Sequence, residues 1–85
     1  MKILYFAWMR QKIGYGEETL AHSPETASVR GLVSVLTKRG ENYAEAVKDL
    51  SRVRVAVNQE HVNLDHPIEP NDEVAFFPPV TGGTS

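Results

Sequence analysis

The two most apolar stretches of this chain stand near its opposite ends. "KILYFAW" (2–8) and "EVAFFP" (73–78) are apolar or aromatic on both alternating faces of an extended strand. A strand of that kind is covered on both faces, so it belongs in the middle of a sheet. Two of them in one chain of 85 residues predict a sheet whose centre is built from the first and last strands, side by side. The segments between them then supply flanking strands and a helical cover.

Those segments read as follows. "MRQKIGYG" (9–16) is polar with two glycines and predicts a loop. "EETLAH" (17–22) predicts a more polar strand, paired with the first and nearer an edge. "SPETAS" (23–28) predicts a loop that ends on Ser28, a natural helix N-cap. Val29, Leu32, Val33 and Leu36 then recur at helical spacing as one apolar stripe. Lys38 and Arg39 complement the helix C-terminus and face solvent, and Gly40 ends it. Gly31 within this helix costs roughly 1 kcal/mol against Ala. A second helical stretch, 41–50, sets Tyr43, Val47 and Leu50 on one side. "RVRVAVN" (52–58) alternates: Val53, Val55 and Val57 face one way, and Arg54, Ala56 and Asn58 the other. "NQE" (58–60) predicts a turn, "HVNL" (61–64) a short return strand, and the proline-bearing "DHPIEPND" (65–72) a loop.

The element order β-β-α-β-β(-β) predicts an α+β fold of the β-grasp, or ubiquitin-like, class. Its mixed sheet of four to five strands packs on one main helix plus a second short helix. Residues 1–78 form the domain, and 79–85 form a flexible tail carrying Gly82 and Gly83. The formal net charge of −2 argues against nucleic acid. With no cysteine, disulfides, thiolate catalysis and cysteine-held metal clusters are excluded. "MKILYFAWMR" is too short an apolar run for a signal peptide or a membrane span, so a cytoplasmic location with no membrane partner is expected.

The tail "FFPPVTGGTS" poses the chemical question. Pro78 and Pro79 hold φ near −65° and offer no N–H, so they stop the strand and stiffen the exit. Residues 78–83 extend to about 20 Å. Gly82 and Gly83 have no side chain and fit a slot too narrow for other residues. A glycine carboxylate is also the least hindered acyl group a chain end can present. Once activated as an acyl-adenylate, it is open to attack by sulfide, an amine or a thiol. The alternative is an idle end, since Gly and Ser are common at disordered termini.

The chain resembles the family of small, sulfur-carrier subunits of molybdopterin synthase. The resemblance is carried by "AVNQ" (56–59), "DHP" (65–67) and "DEVAFFPPVTGG" (72–83), with "FA" (6–7) near the start. It implies that a ubiquitin-activating-like adenylyltransferase uses ATP to adenylate Gly83, beside Gly82. Sulfur from a sulfurtransferase then displaces AMP and leaves a thiocarboxylate. The tail delivers that sulfur to cyclic pyranopterin monophosphate in the active site of a large catalytic subunit. The resemblance further implies a heterotetramer of two small and two large subunits. It implies no bound cofactor, and a sulfur donor rather than a free-standing enzyme. A ubiquitin-like modifier joined through Gly83, a thiamine-pathway sulfur carrier and a binding module with an inert tail are the rival readings.

The family pattern ends at the second glycine, whereas Thr84 and Ser85 follow it here. With them attached, the Gly83 carbonyl is an amide and cannot be adenylated. The pair is removed after synthesis, is a remnant of expression, or leaves this copy inactive. Phe6, Phe77 and Val80 are candidates for an apolar docking patch, with Pro78, Pro79 and Thr81 of the arm. By resemblance position 61 belongs to that surface too; the family often has an apolar residue there, and this chain has His61. Ordinary core is the alternative for Phe6 and Phe77. His22, His61 and His66 lack the spacing of a metal site, so none is expected. Asp65 and His66 are expected to fix their loop. Glu60, Asp72 and Glu73 are surface acids or contacts for an activating enzyme.

Overall fold

The computed structural model describes residues 1–47 and 52–78. Five strands form one sheet in the order β2-β1-β5-β3-β4. They are β1 (Lys2–Tyr5), β2 (Glu17–Thr19), β3 (Arg54–Val57), β4 (Glu60–Val62) and β5 (Glu73–Phe77). The first and last strands lie side by side in parallel, with Ile3 opposite Val74 and Tyr5 opposite Phe76. The other pairings, β1–β2, β3–β4 and β3–β5, are antiparallel. The sheet is therefore mixed, with the predicted pair at its centre and β2 at an edge.

Among the described residues three α-helices accompany it: α1 (Ala7–Ile13), α2 (Val29–Thr37) and α3 (Glu41–Val47). In α2 the Ser28 side chain accepts a hydrogen bond from the Gly31 amide at 3.2 Å, as an N-cap should. Two more amides of its first turn are satisfied by the loop that follows β4, distant in sequence: Val29 N donates to His66 O and Arg30 N to Leu64 O. Val29, Leu32, Val33 and Leu36 are all buried, as the apolar stripe predicts. The second helical stretch is borne out over α3, with Tyr43 and Val47 buried; its end, with Leu50, lies outside the described residues.

Helix α1 corrects the sequence reading. The predicted strand 2–8 stops at Tyr5, and the predicted loop 9–16 is mostly helix. Met9 and Ile13, four residues apart, bury one face of it, and Gly14 closes it in the left-handed region at φ 103°. A continuous apolar run cannot be divided into strand and helix by periodicity alone, because every position satisfies both patterns. The remaining differences are smaller. The strand predicted over 17–22 ends at Thr19, and the loop 23–28 contains a 3-10 turn, Pro24–Thr26. In that turn Ser23 N donates to Thr26 Oγ1 at 2.9 Å.

The core lies on one side of the sheet. Ile3, Tyr5, Val55, Val57, Val74 and Phe76 point into it, against Met9 and Ile13, Leu32 and Leu36, and Tyr43, Ala46 and Val47. Each large apolar side chain fully removed from water contributes about 1.5–3 kcal/mol. Tyr5 sits at the centre, stacked on Phe76 at 6.2 Å between ring centroids and edge-on to Tyr43 at 6.3 Å.

Candidate functional site

Strand alternation gives the sheet a second face, opposite the core. Leu4, Ala75, Ala56 and His61 follow one another across it in register, from β1 through β5 and β3 to β4. One step along, Phe77 pairs with Arg54. Helical residues join the core only on the other face. This face is thus apolar at its centre and has no helical cover among the described residues.

The structure brings the described docking candidates together here. Phe6 N donates to Phe76 O at 3.1 Å, carrying the β1–β5 ladder one residue beyond the Tyr5–Phe76 pair. Phe6 and Phe77 therefore leave their strands at neighbouring positions. Phe6 is 47% exposed, unusual for so large an apolar side chain. Phe77 is half-buried and packs against the margin of the core, so the ordinary-core alternative describes part of it. His61 is exposed and sets its ring 5.2 Å from that of Phe77. The polar residue thus extends the aromatic patch instead of interrupting it. Pro78, half-buried, follows β5 directly. The other predicted site residues, Pro79, Val80, Thr81, Gly82 and Gly83, lie outside the described residues.

Arg54 joins this patch without having been singled out beforehand. The alternation of "RVRVAV" already places it opposite the buried valines. Only the register sets it beside Phe77, because cross-strand neighbours are not written in a single strand. It is exposed, and among the described residues it has no ion-pair partner. Lys2, farther along the same face, pairs with Glu17 at 3.8 Å.

The remaining candidates take local roles. His22 Nε2 makes a hydrogen bond with the Ile68 carbonyl at 2.7 Å. Asp65 accepts both Nε and Nη2 of Arg30, at 3.2 and 3.0 Å, and fixes its loop through its own amide, which donates to Asn63. Asp72 accepts from Asn58 Nδ2 at 2.9 Å and from the Glu69 amide at 2.8 Å. Those bonds hold its carboxyl below the ordinary carboxylate range, the Glu69 amide most strongly. Among the described residues no group of three histidine, cysteine or acidic side chains could hold a metal ion. No described helix is long and apolar enough to cross a membrane.

One polar cluster was hidden from the sequence. Glu18 Oε2 accepts from Tyr5 Oη at 2.5 Å and Tyr43 Oη at 3.0 Å, and Glu18 Oε1 accepts from Arg39 Nη1 at 2.7 Å. Tyr15 and Tyr43 share a further hydroxyl–hydroxyl bond. Arg39 is thus no solvated helix end, as the sequence suggested. It spans to β2 and lies 5.1 Å above the Tyr43 ring. Burial first, then the Glu18 carboxylate, raises the pKa of Tyr5, so its hydroxyl stays a donor. The carboxylate accepts from three donors and ties the edge strand to β1, to α3 and to the turn after α2. It is a structural clamp, closed to a substrate.

Comparison with known proteins places the chain in a family and a fold. The profile described as "ThiS family" matches residues 3–83, so the match runs to Gly83 and leaves Thr84 and Ser85 outside. The molybdopterin synthase sulfur carrier subunit of Escherichia coli (strain K12) is 39% identical over 83 residues, covering 98% of this chain and 99% of that one. A structure titled putative molybdopterin converting factor, subunit 1, from Pyrococcus furiosus superposes with a TM-score of 0.76 at 35% identity. It covers 93% of this chain and 95% of that chain. The small archaeal modifier protein 1 of Haloferax volcanii shares the ubiquitin-like fold, with a TM-score of 0.73 at 21% identity over 94% of this chain and 97% of that one. The chain belongs to the ThiS family and, within it, to the group of molybdopterin synthase sulfur carrier subunits.

Proposed function

We propose that this chain is the sulfur-donor subunit of a molybdopterin synthase. The observation that carries the reading is identity to sulfur carrier subunits along the whole domain, in a family match that runs to Gly83. The reactive group is the Gly83 carboxylate, presented next to Gly82 on the arm that begins at Pro78 and Pro79. An adenylyltransferase of the ubiquitin-activating type transfers AMP from ATP to that carboxylate, releasing pyrophosphate. A sulfide equivalent supplied by a sulfurtransferase then displaces AMP, and Gly83 becomes a thiocarboxylate. The chain needs no bound cofactor for this, because the energy resides in the acyl-adenylate.

The free sheet face supplies the docking surface. Phe6, His61 and Phe77 seat against the large catalytic subunit, in a complex of two small and two large chains. Pro78, Pro79, Val80 and Thr81 lead the terminal glycines toward its active site. There the thiocarboxylate sulfur passes to cyclic pyranopterin monophosphate, and two transfers build the dithiolene. The cytoplasm is the expected setting.

Reconstitution with the large subunit, the activating enzyme, ATP and a sulfur source tests this. The 85-residue chain is compared with one ending at Gly83. Only the shortened chain is expected to gain the mass of one oxygen-to-sulfur exchange and to support dithiolene formation. Equal turnover by both, with Thr84 and Ser85 still attached in the longer chain, would overturn the role of the free glycyl acid. An isopeptide-linked adduct in cells would favour the modifier reading instead.

A further inference from the structure

The uncovered sheet face carries a cation that the docking reading leaves unexplained. Arg54 stands in register with Phe77, and two residues along β3 Ala56 stands in register with His61. Its paired and same-strand neighbours on the face, Phe77, Ala56 and His61, carry no acid. Glu73, the acid of β5 on this face, is four residues from Phe77, about 13 Å away at strand spacing. It pairs in register with Lys2 at the far end of the sheet. Nothing among the described residues answers the Arg54 charge.

A partner that covers Phe6 and Phe77 also covers Arg54. An apolar lid would leave the guanidinium desolvated and unpaired, which is strongly unfavourable. A carboxylate would instead meet a planar fork of donors suited to two parallel hydrogen bonds. A second copy of this chain fits poorly as the occupant, because the aromatic centre of its own face offers no acid to a facing Arg54. We propose that the large subunit presents a carboxylate to Arg54, and that this ion pair sets which large subunit the chain accepts. The proposal rests on the function proposed above.

The test is calorimetric binding of the 85-residue chain to the large molybdopterin synthase subunit of the same organism, at low and high salt. Arg54→Ala is expected to weaken binding about thirtyfold or more at low salt and to flatten its salt dependence. Arg54→Lys, which keeps the charge and loses the fork, should fall between. Arg54→Glu should bind least, and reversing one acid of the large subunit to Lys should restore it. Phe6→Ala should weaken binding with the salt slope unchanged. Arg54 and Phe6 are exposed, so both variants should melt like the parent. If Arg54→Ala matches the parent in affinity and salt slope while Phe6→Ala binds weakly, the carboxylate is refuted and the docking face stands. If Phe6→Ala and Arg54→Ala both bind like the parent, the docking face falls as well.

Discussion

The carbonyl oxygen of Glu25 lies 2.2 Å from the point where a Cβ on residue 31 would stand. The 3-10 turn before α2 thus packs directly on the helix backbone, and Gly31 is what admits it. Gly31→Ala gains helix propensity but must push main chain aside. A net loss of about 1–3 kcal/mol is expected, seen as a lower denaturant midpoint. A more stable variant would show that the turn yields freely.

Glu18 is the acceptor for two tyrosines and Arg39, so removing its charge strands donors. Glu18→Gln should cost about 2 kcal/mol, measured by urea unfolding. An unchanged midpoint would mean that the cluster only decorates the fold.

Tyr5 makes the same cluster sensitive to alkali. Burial, followed by the Glu18 bond and charge, lifts its pKa above the ordinary 10.0. The folded state then holds the proton more tightly than the unfolded state. Its contribution is whole below pH 10.0 and is lost as pH rises above that value. Melting temperature should fall from that pH upward, and Tyr5→Phe should flatten the decline while lowering neutral stability by about 1 kcal/mol. A decline of equal steepness in the variant would remove Tyr5 from the explanation.

Asp72 acts at the other end of the pH scale. Its carboxyl is held below the ordinary 3.8 by the Glu69 amide and the Asn58 side chain. Stability from this group is therefore present above pH 3.8 and is lost as pH falls through its lower folded value. Asp72→Ala should cost about 0.5–1 kcal/mol at neutral pH, since the group is near solvent. The gap to the parent should close in acid; a constant gap would assign the effect to packing.

The β3–β4 turn offers a gain. Asn58 and Gln59 both take positive φ, 52° and 70°, as a two-residue hairpin turn requires. Asparagine tolerates this and also bonds Asp72. Glutamine has no such compensation, so Gln59→Gly should stabilise by about 0.5–1 kcal/mol. Thermal melting reads this directly, and a lower midpoint would refute it.

Sequence alone determined what depends on neighbours along the chain. Ser28 and the stripe from Val29 to Leu36 define α2, and alternation in "RVRVAV" separates the buried valines from Arg54. The doubly apolar ends assign β1 and β5 to the sheet centre. The "PPVTGG" stretch carries the chemical expectation in its residue types alone. Tertiary structure alone decided what depends on residues distant in sequence. It divided the apolar run 2–8 between β1 and α1 and carried α1 on through the polar stretch to Ile13, because Met9 and Ile13 find the core only after the chain turns past Phe6. It gathered Glu18, Tyr5 and Tyr43 from β2, β1 and α3 and Arg39 from the turn after α2, and it set Arg54 against Phe77. Periodicity records which face a side chain takes, whereas the partner across that face is chosen only when strands acquire a register.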